Sequence, residues 1–309
     1  MSRQKRQRGA ALLTAMVIVT LVATMAAGMV WQQWRAVQVE AAERARMQAA
    51  WILTGAIDWA RLILREDART GGADTLEEPW ATPLNETPLS TFLAADKDNT
   101  DDAPDAFLSG AITDAQARYN LRNLYDAQTG KVVPAELAAL KRLCEEGGVS
   151  AEVAERLANA LVAASIGGED APLLPRSIAQ LGWLGLDADT VRRLAPHVVL
   201  LPAQTPINLN TASKEVIAAA SGMEPGDAER LVQMRQRAPF KTLEEAKKHL
   251  PAALVLNPRQ VGVASQFFEV SGQLRMGDRI LQERSLVQRR NPDVVTIQRE
   301  RVNLNDPGG

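Results

Sequence analysis

Asp96, Asp98, Thr100 and Asp102 set oxygen-bearing side chains at alternate positions. Hard divalent cations take such oxygens, and the spacing is that of a calcium loop. The sixth position holds Asp101 rather than glycine, and the twelfth holds Phe107 rather than an acid. A solvated acidic loop is therefore the favoured reading, with calcium at Asp96, Asp98 and Asp102 as the alternative. Little else points to catalysis. The two histidines, His197 and His249, have no metal-ligand spacing. His197 follows Pro196 and reads as surface or core filler. Cys144, the single cysteine, can form no intramolecular disulfide and shares a helix with Leu140 and Leu143, which reads as packing. No nucleophile–base arrangement can be argued, so an enzyme is not expected.

A second candidate is cationic. Arg230, Arg235 and Arg237 lie beside the turn Gly222-Met223-Glu224-Pro225-Gly226, within Ile207–Ala246. This segment resembles the helix-hairpin-helix of competence-type DNA-binding proteins, where a Gly-x-Gly hairpin offers backbone N–H groups to phosphate and arginines contact the backbone. Here Glu224 replaces the second glycine, and its charge repels phosphate. Lysine and arginine total 35 against 37 acidic residues, a net charge of −2, which gives the whole chain no electrostatic pull on nucleic acid. The first reading is a helical pair used as scaffold, with Thr211 as its N-cap. The second is a membrane-tethered DNA-binding module of uptake machinery.

Arg3, Lys5, Arg6 and Arg8 precede Gly9, and from Ala10 to Trp31 the chain carries no charge. About 20 apolar residues cross a bilayer core as a helix. A secretory signal has a shorter apolar region and a small-residue cleavage site after it, whereas this run continues into Gln32, Gln33 and a long helical pattern. The segment therefore reads as a retained single span. Its basic leader holds the N-terminus in the cytoplasm, and the bulk of the chain would lie outside, in a periplasm if the source is Gram-negative.

The elements that position these residues follow from periodicity. Trp34, Val37, Ala41, Ala45, Ile52, Trp59, Leu62 and Ile63 recur at helical spacing. One helix from about Ala10 to about Leu64 would be roughly 80 Å long, with mild bends at Gly28 and Gly55. Residues 66–105 read as irregular. Asp105–Leu124 reads as a β-hairpin turning near Thr113-Asp114. From Pro134 to about His249 the pattern is five or six short helices: Pro134 opens one and Gly147 ends it, Ser150 and Asp187 cap others, and Thr242 with Glu245 has capping-box spacing. After Pro258 strands return. The expected fold class is α+β, a long N-terminal helix on a small antiparallel β-sheet with an inserted all-helical domain. The expected segments are a leader (1–9), a transmembrane helix (10–31), the outer part of that helix (32–68), the first part of the head (69–130), the helical insertion with its helix-hairpin-helix-like segment (131–257) and the C-terminal strands completing the head (258–309).

A short basic leader, a glycine and an immediate apolar helix resemble a type IV prepilin signal. Carried over, the peptidase of that family would cut Gly9–Ala10, leaving a free amine on an intact membrane helix. The family places Glu at the fifth mature position; here that position is Thr14, which cannot ionise. That glutamate is thought to pair with the N-terminal amine of a neighbouring subunit, so its loss marks the end of an assembly. The stretches "RGAALLTAMVIV", "GAITDAQARYNLRNL", "LLPAQTPINLNTAS", "RQRAPFKTLEEA" and "VASQFFEV" are similar to the type II secretion system protein K family, the large minor pseudopilin. The resemblance implies a pilin-like head, a place at the tip of a periplasmic pseudopilus and no enzymatic activity. It implies as partners the minor pseudopilins I and J, other pseudopilins, the prepilin peptidase and the inner-membrane assembly platform. It also implies calcium in many members, but the acidic loop expected after the insertion's helix is reduced here to Glu169 and Asp170.

Overall fold

The computed structural model describes residues 4–93, 106–168, 170–252, 254–277, 279–290 and 293–303. They divide into two compact units, Met1–Thr54 and Gly55–Gly309. Helix α1 (Gln4–Thr70) runs from the first into the second without interruption at Gly28 or Gly55. It exceeds the expected end because Arg65, Glu66, Ala68 and Arg69 are good helix formers, and it stops only at Gly71-Gly72, both at positive φ.

The first unit consists of helix. Leu12, Val17, Ile18, Val22 and Met29 are all exposed. The hydroxyls of Thr14 and Thr20 donate to the carbonyls of Ala10 (2.9 Å) and Met16 (2.7 Å), and that of Thr24 to Leu21 (2.9 Å). Each of these hydroxyls is satisfied by its own helix, as a position facing lipid would require. Near the N-terminus this helix is long and apolar enough to cross a membrane.

In the second unit, α1 is followed by strand β1 (Leu84–Pro88), helix α2 (Leu89–Leu93) and strand β2 (Ala106–Asp114). The short strands β3 (Tyr119–Asn120), β4 (Tyr125–Asp126) and β5 (Lys131–Val132) lead into helices α3 (Pro134–Glu146), α4 (Ala151–Ile166) and α5 (Ala188–Leu194). Strands β6 (Val198–Val199) and β7 (Ile207–Asn208), helices α6 (Lys214–Ser221), α7 (Pro225–Arg235) and α8 (Leu243–Lys247), and strand β8 (Val261–Gly262) complete the helical part. The chain closes with β9 (Phe267–Met276), β10 (Arg279–Arg290) and β11 (Asp293–Asn303).

A five-stranded antiparallel sheet has the order β1-β2-β9-β10-β11. Strands β2 and β9 are neighbours although all the helices after α2 lie between them in sequence, so the helical part is an insertion in the sheet. One face of the sheet packs Phe268, Val270, Val287 and Val294 on Ile57, Ala60 and Leu64 of α1 and on Trp80. The Trp80 and Phe268 rings meet edge to face at 5.2 Å. Arg61 fastens the helix to β11 by donating from Nε and Nη2 to the Val294 carbonyl at 2.9 and 2.6 Å. On the other face Phe267 meets Ala115, Val199 and Leu201. The insertion has its own core, in which Leu140, Leu143, Cys144, Leu157, Leu161, Ile217 and Leu231 are fully buried.

Two expectations are corrected. Residues 105–124 do not form a hairpin: β2 pairs with β1 and β9, and β3 pairs in parallel with β6. The reversal fails because Asp114 accepts from the Gln116 N–H and starts a 3-10 turn that leads the chain out of the sheet. Residues 66–93 are not wholly irregular, since α1 extends to Thr70, and β1 forms an edge strand. Its Asn-Glu-Thr-Pro sequence carries no apolar alternation, and Pro88 is tolerated because an edge strand has a free side.

Candidate functional site

Three features could carry function: the fifth residue after Gly9, the helix pair around Gly222, and the place where the insertion joins the sheet. The Gly9–Ala10 bond lies within the span of α1. Thr14 presents a hydroxyl already bonded to the Ala10 carbonyl at 2.9 Å, so it offers neighbours neither a charge nor a free donor. Asp96, Asp98 and Asp102 lie outside the described residues.

At the helix pair, Gly222 ends α6 in the left-handed conformation (φ 73) and Glu224 stands as N-cap of α7. Ser213, not Thr211, caps α6, accepting from the Val216 N–H. The cap falls two residues later than expected because Thr211 is drawn into a buried bond described below. Of the three cations expected to face a phosphate, Arg230 and Arg235 are engaged within the chain, and Arg237 is exposed. Arg235 donates from Nη1 to the Leu209 carbonyl at 2.5 Å, and burial lowers its pKa to about 10. Arg230 pairs with Asp227 at 3.2 Å and Lys214 with Glu229 at 2.7 Å. Arg142 of α3 donates to the Ala219 carbonyl at 2.7 Å and lies beside Gly222. At α8, Thr242 accepts from the Glu245 N–H, but the Glu245 carboxylate reaches the N–H of Lys241 rather than that of Thr242.

The joint is built by the last residue of β2. Asp114 is 5% exposed. Its Oδ1 accepts from the Gln116 N–H at 2.8 Å. Its Oδ2 accepts from Asn208 Nδ2 at 2.9 Å, Thr211 Oγ1 at 2.6 Å and Ser265 Oγ at 2.6 Å. Burial raises its pKa, and these four hydrogen bonds oppose the rise. Around it Gln116 donates to the Pro206 carbonyl and accepts from the Gln266 N–H. Asn120 and Asn123 hold the loop at Ala203–Thr205. Asn210 brackets the backbone of Phe240 with both ends of its amide.

A second polar group adjoins the first. Arg289 donates from Nη1 to Asp74 at 2.8 Å and from Nη2 to Asp67 at 2.6 Å, and its guanidinium lies 4.7 Å from the Phe268 ring centre. Asp67, Asp74 and Glu78 bring carboxylate oxygens within 4.8 Å of one another, and Arg289 supplies the cation for two of them. Burial and the nearby Glu78 raise Asp67 to about 6. Sequence reasoning missed this group because its members lie in a segment read as irregular and in a strand read only for apolar alternation.

The quoted stretches gain a physical meaning here. Gly110–Leu124 supplies Asp114, Gln116, Asn120 and Asn123; Leu200–Ser213 supplies Thr205, Asn208, Asn210 and Thr211; Val263–Val270 supplies Ser265 and Gln266. They meet at one joint.

Comparison with known proteins agrees. Residues 117–203 and 207–264 each match a family described as type II secretion system protein K. The chain is 30% identical to type II secretion system protein K of Pseudomonas aeruginosa, over 89% of this chain and 87% of that one. It is 26% identical to the protein of that name from Pectobacterium carotovorum, over 96% and 97%. Its fold is similar to a chain in the crystal structure of the GspK-GspI-GspJ complex of enterotoxigenic Escherichia coli, with a TM-score of 0.64, 19% identity, and coverage of 85% of this chain and 98% of that one.

Proposed function

The chain belongs to the type II secretion system protein K family, and from that premise we propose that it sits at the tip of a periplasmic pseudopilus and starts or caps its assembly. In this reading the leader is cytoplasmic, the prepilin peptidase cuts Gly9–Ala10, and the released helix moves from the bilayer into a bundle of pseudopilin helices. The neighbouring solved structure is a complex with GspI and GspJ, which supports the equivalent minor pseudopilins as lateral partners here. The protein acts by assembly, without catalysis.

The observation that carries the reading is Thr14. A subunit docking from above would need an acid at this position to meet an amine, and this residue has only a hydroxyl turned back to Ala10. The helical insertion adds bulk to the same subunit. Mass spectrometry of the native N-terminus tests the first step: the mature chain starts at Ala10, and Gly9→Val leaves it uncut and stops secretion. Native chains that start only at Met1, or normal secretion by uncut Gly9→Val, refute the reading.

A further inference from the structure

The buried carboxylate at the centre of the joint, Asp114, has no counter-charge among the groups bonded to it. All four donors to Asp114 are neutral: a backbone N–H, one amide and two hydroxyls. Burying an unpaired carboxylate is costly, so its bonds must secure something that a neutral side chain would not. They come from separate elements. Asn208 and Thr211 belong to the insertion, and Ser265 lies in the return to β9. From Ser265 the network continues, because the Ser265 N–H donates to Asp74 at 2.6 Å and Arg289 bridges Asp74 to Asp67 in the last turn of α1. Away from this joint the insertion and the sheet are less tightly matched. A cleft of about 190 Å³ separates Arg176 and Ile178 from Arg284 and Glu300.

We propose that Asp114 is a positioning residue that fixes the angle of the helical insertion on the sheet. Both connections between insertion and sheet pass beside it, one through Ala115–Ala117 and the other through Ser265. Without the carboxylate those two connections can flex, held less firmly by Phe267 against Val199 and Leu201 and by Arg118 with Glu269. With it, three donors from two sides converge on one oxygen and fix the orientation. The inference rests on the tip reading for its purpose, since only an insertion held at one angle can obstruct the next subunit. Its geometry stands independently of that purpose.

The test uses the full-length chain in detergent, spin-labelled at Asn85→Cys in β1 and Arg156→Cys in α4, both exposed sites. Cys144 is buried, and its thiol is pushed up to about 11 by burial and the nearby Glu145, so the labels go to the two new sites. The native chain gives one narrow distance distribution. Asp114→Asn preserves volume and widens that distribution at least about twofold. It also speeds amide exchange at Leu209, Ser265 and Gln266 by about tenfold to a hundredfold, the scale of losing a bond to a charged acceptor. Amides within α3 and α4 keep their native rates. Thr211→Val removes one donor and shifts both readings in the same direction by less, and the double variant is no worse than Asp114→Asn alone. A native distance distribution in Asp114→Asn, or acceleration spread equally through α3 and α4, overturns the proposal. If Asp114→Asn does not fold, a native distribution in Thr211→Val overturns it. A widened distribution with normal secretion keeps the joint and removes the cap.

Discussion

Asp67 makes the stability of the head depend on pH in the direction opposite to that of an ordinary salt bridge. It sits in the last turn of α1, where the helix dipole disfavours an anion, and its side chain is 12% exposed. Arg289 attracts it, but Asp74 and Glu78 repel it and burial strips it of water. The net effect moves its pKa from 3.8 to about 6. At 1.36 kcal/mol for each tenfold in proton affinity, this is roughly 3 kcal/mol. Between about pH 4 and pH 6 the folded chain holds a proton that the unfolded chain releases, so stability falls as pH rises through that window. Asp114 and Glu136, also raised by burial, act with the same sign. Asp126, Asp187 and Glu229 are lowered by the hydrogen bonds they accept and act with the opposite sign. The perturbation is Asp67→Asn, which keeps an acceptor for Arg289 Nη2 and removes the charge. Urea midpoints of the chain in detergent, read at intervals from pH 4.5 to 7.5, supply the assay. The native midpoint drops across this range. The variant flattens the curve, exceeds the native chain by about 1 kcal/mol near pH 4.5 and by the roughly 3 kcal/mol derived above at pH 7.5. A variant less stable than the native chain at pH 7.5, with the slope unchanged, refutes the reasoning and makes the Arg289 pair a net stabiliser.

Other substitutions probe packing and charge. A Cβ at Gly110 would lie 2.6 Å from the Ser271 carbonyl across the β2–β9 ladder, so Gly110→Ala lowers the urea midpoint by about 1–3 kcal/mol. Leu157 is fully buried in the insertion core, and Leu157→Ala costs about 2–5 kcal/mol while amide exchange in β9 and β10 stays native. Because Arg235 and Arg230 are engaged by Leu209 and Asp227, a duplex DNA probe is not retarded by the full-length chain at low salt. Retardation that weakens steeply with added salt would revive the helix-hairpin-helix reading.

Sequence reasoning reached what depends on local signals. The membrane-length helix follows from an uncharged run, and α3, α4 and α5 from Pro134, Ser150 and Asp187 acting where expected. The three C-terminal strands follow from alternation and turn residues. The errors share a physical cause: a polar side chain was assigned a local partner when its actual partner was distant in sequence. Local spacing makes Asp114 a hairpin turn residue and Thr211 a helix cap, yet they bond each other across 97 positions. Arg289, which no spacing or motif singles out, bridges Asp67 and Asp74, more than 200 positions away. Periodicity carries no signal for such pairs. The quoted stretches did single out the residues of the joint, but gave no indication that they meet.

Thr14 and Asp114 are opposite answers to one energetic problem. A carboxylate in an apolar setting persists only where donors reach it reliably. Asp114 has four donors from its own chain, present whenever the chain is folded. A carboxylate at position 14 would depend on an amine from another subunit, absent before assembly and at any terminal position. For a subunit that occupies the end of a fibre, the hydroxyl at Thr14 removes a charge that would have no dependable partner. It also removes the means of docking a further copy. Introducing Thr14→Glu into the membrane helix therefore gives the chain a group suited to positions along the shaft. On the tip reading, that variant appears within fibres as well as at their ends.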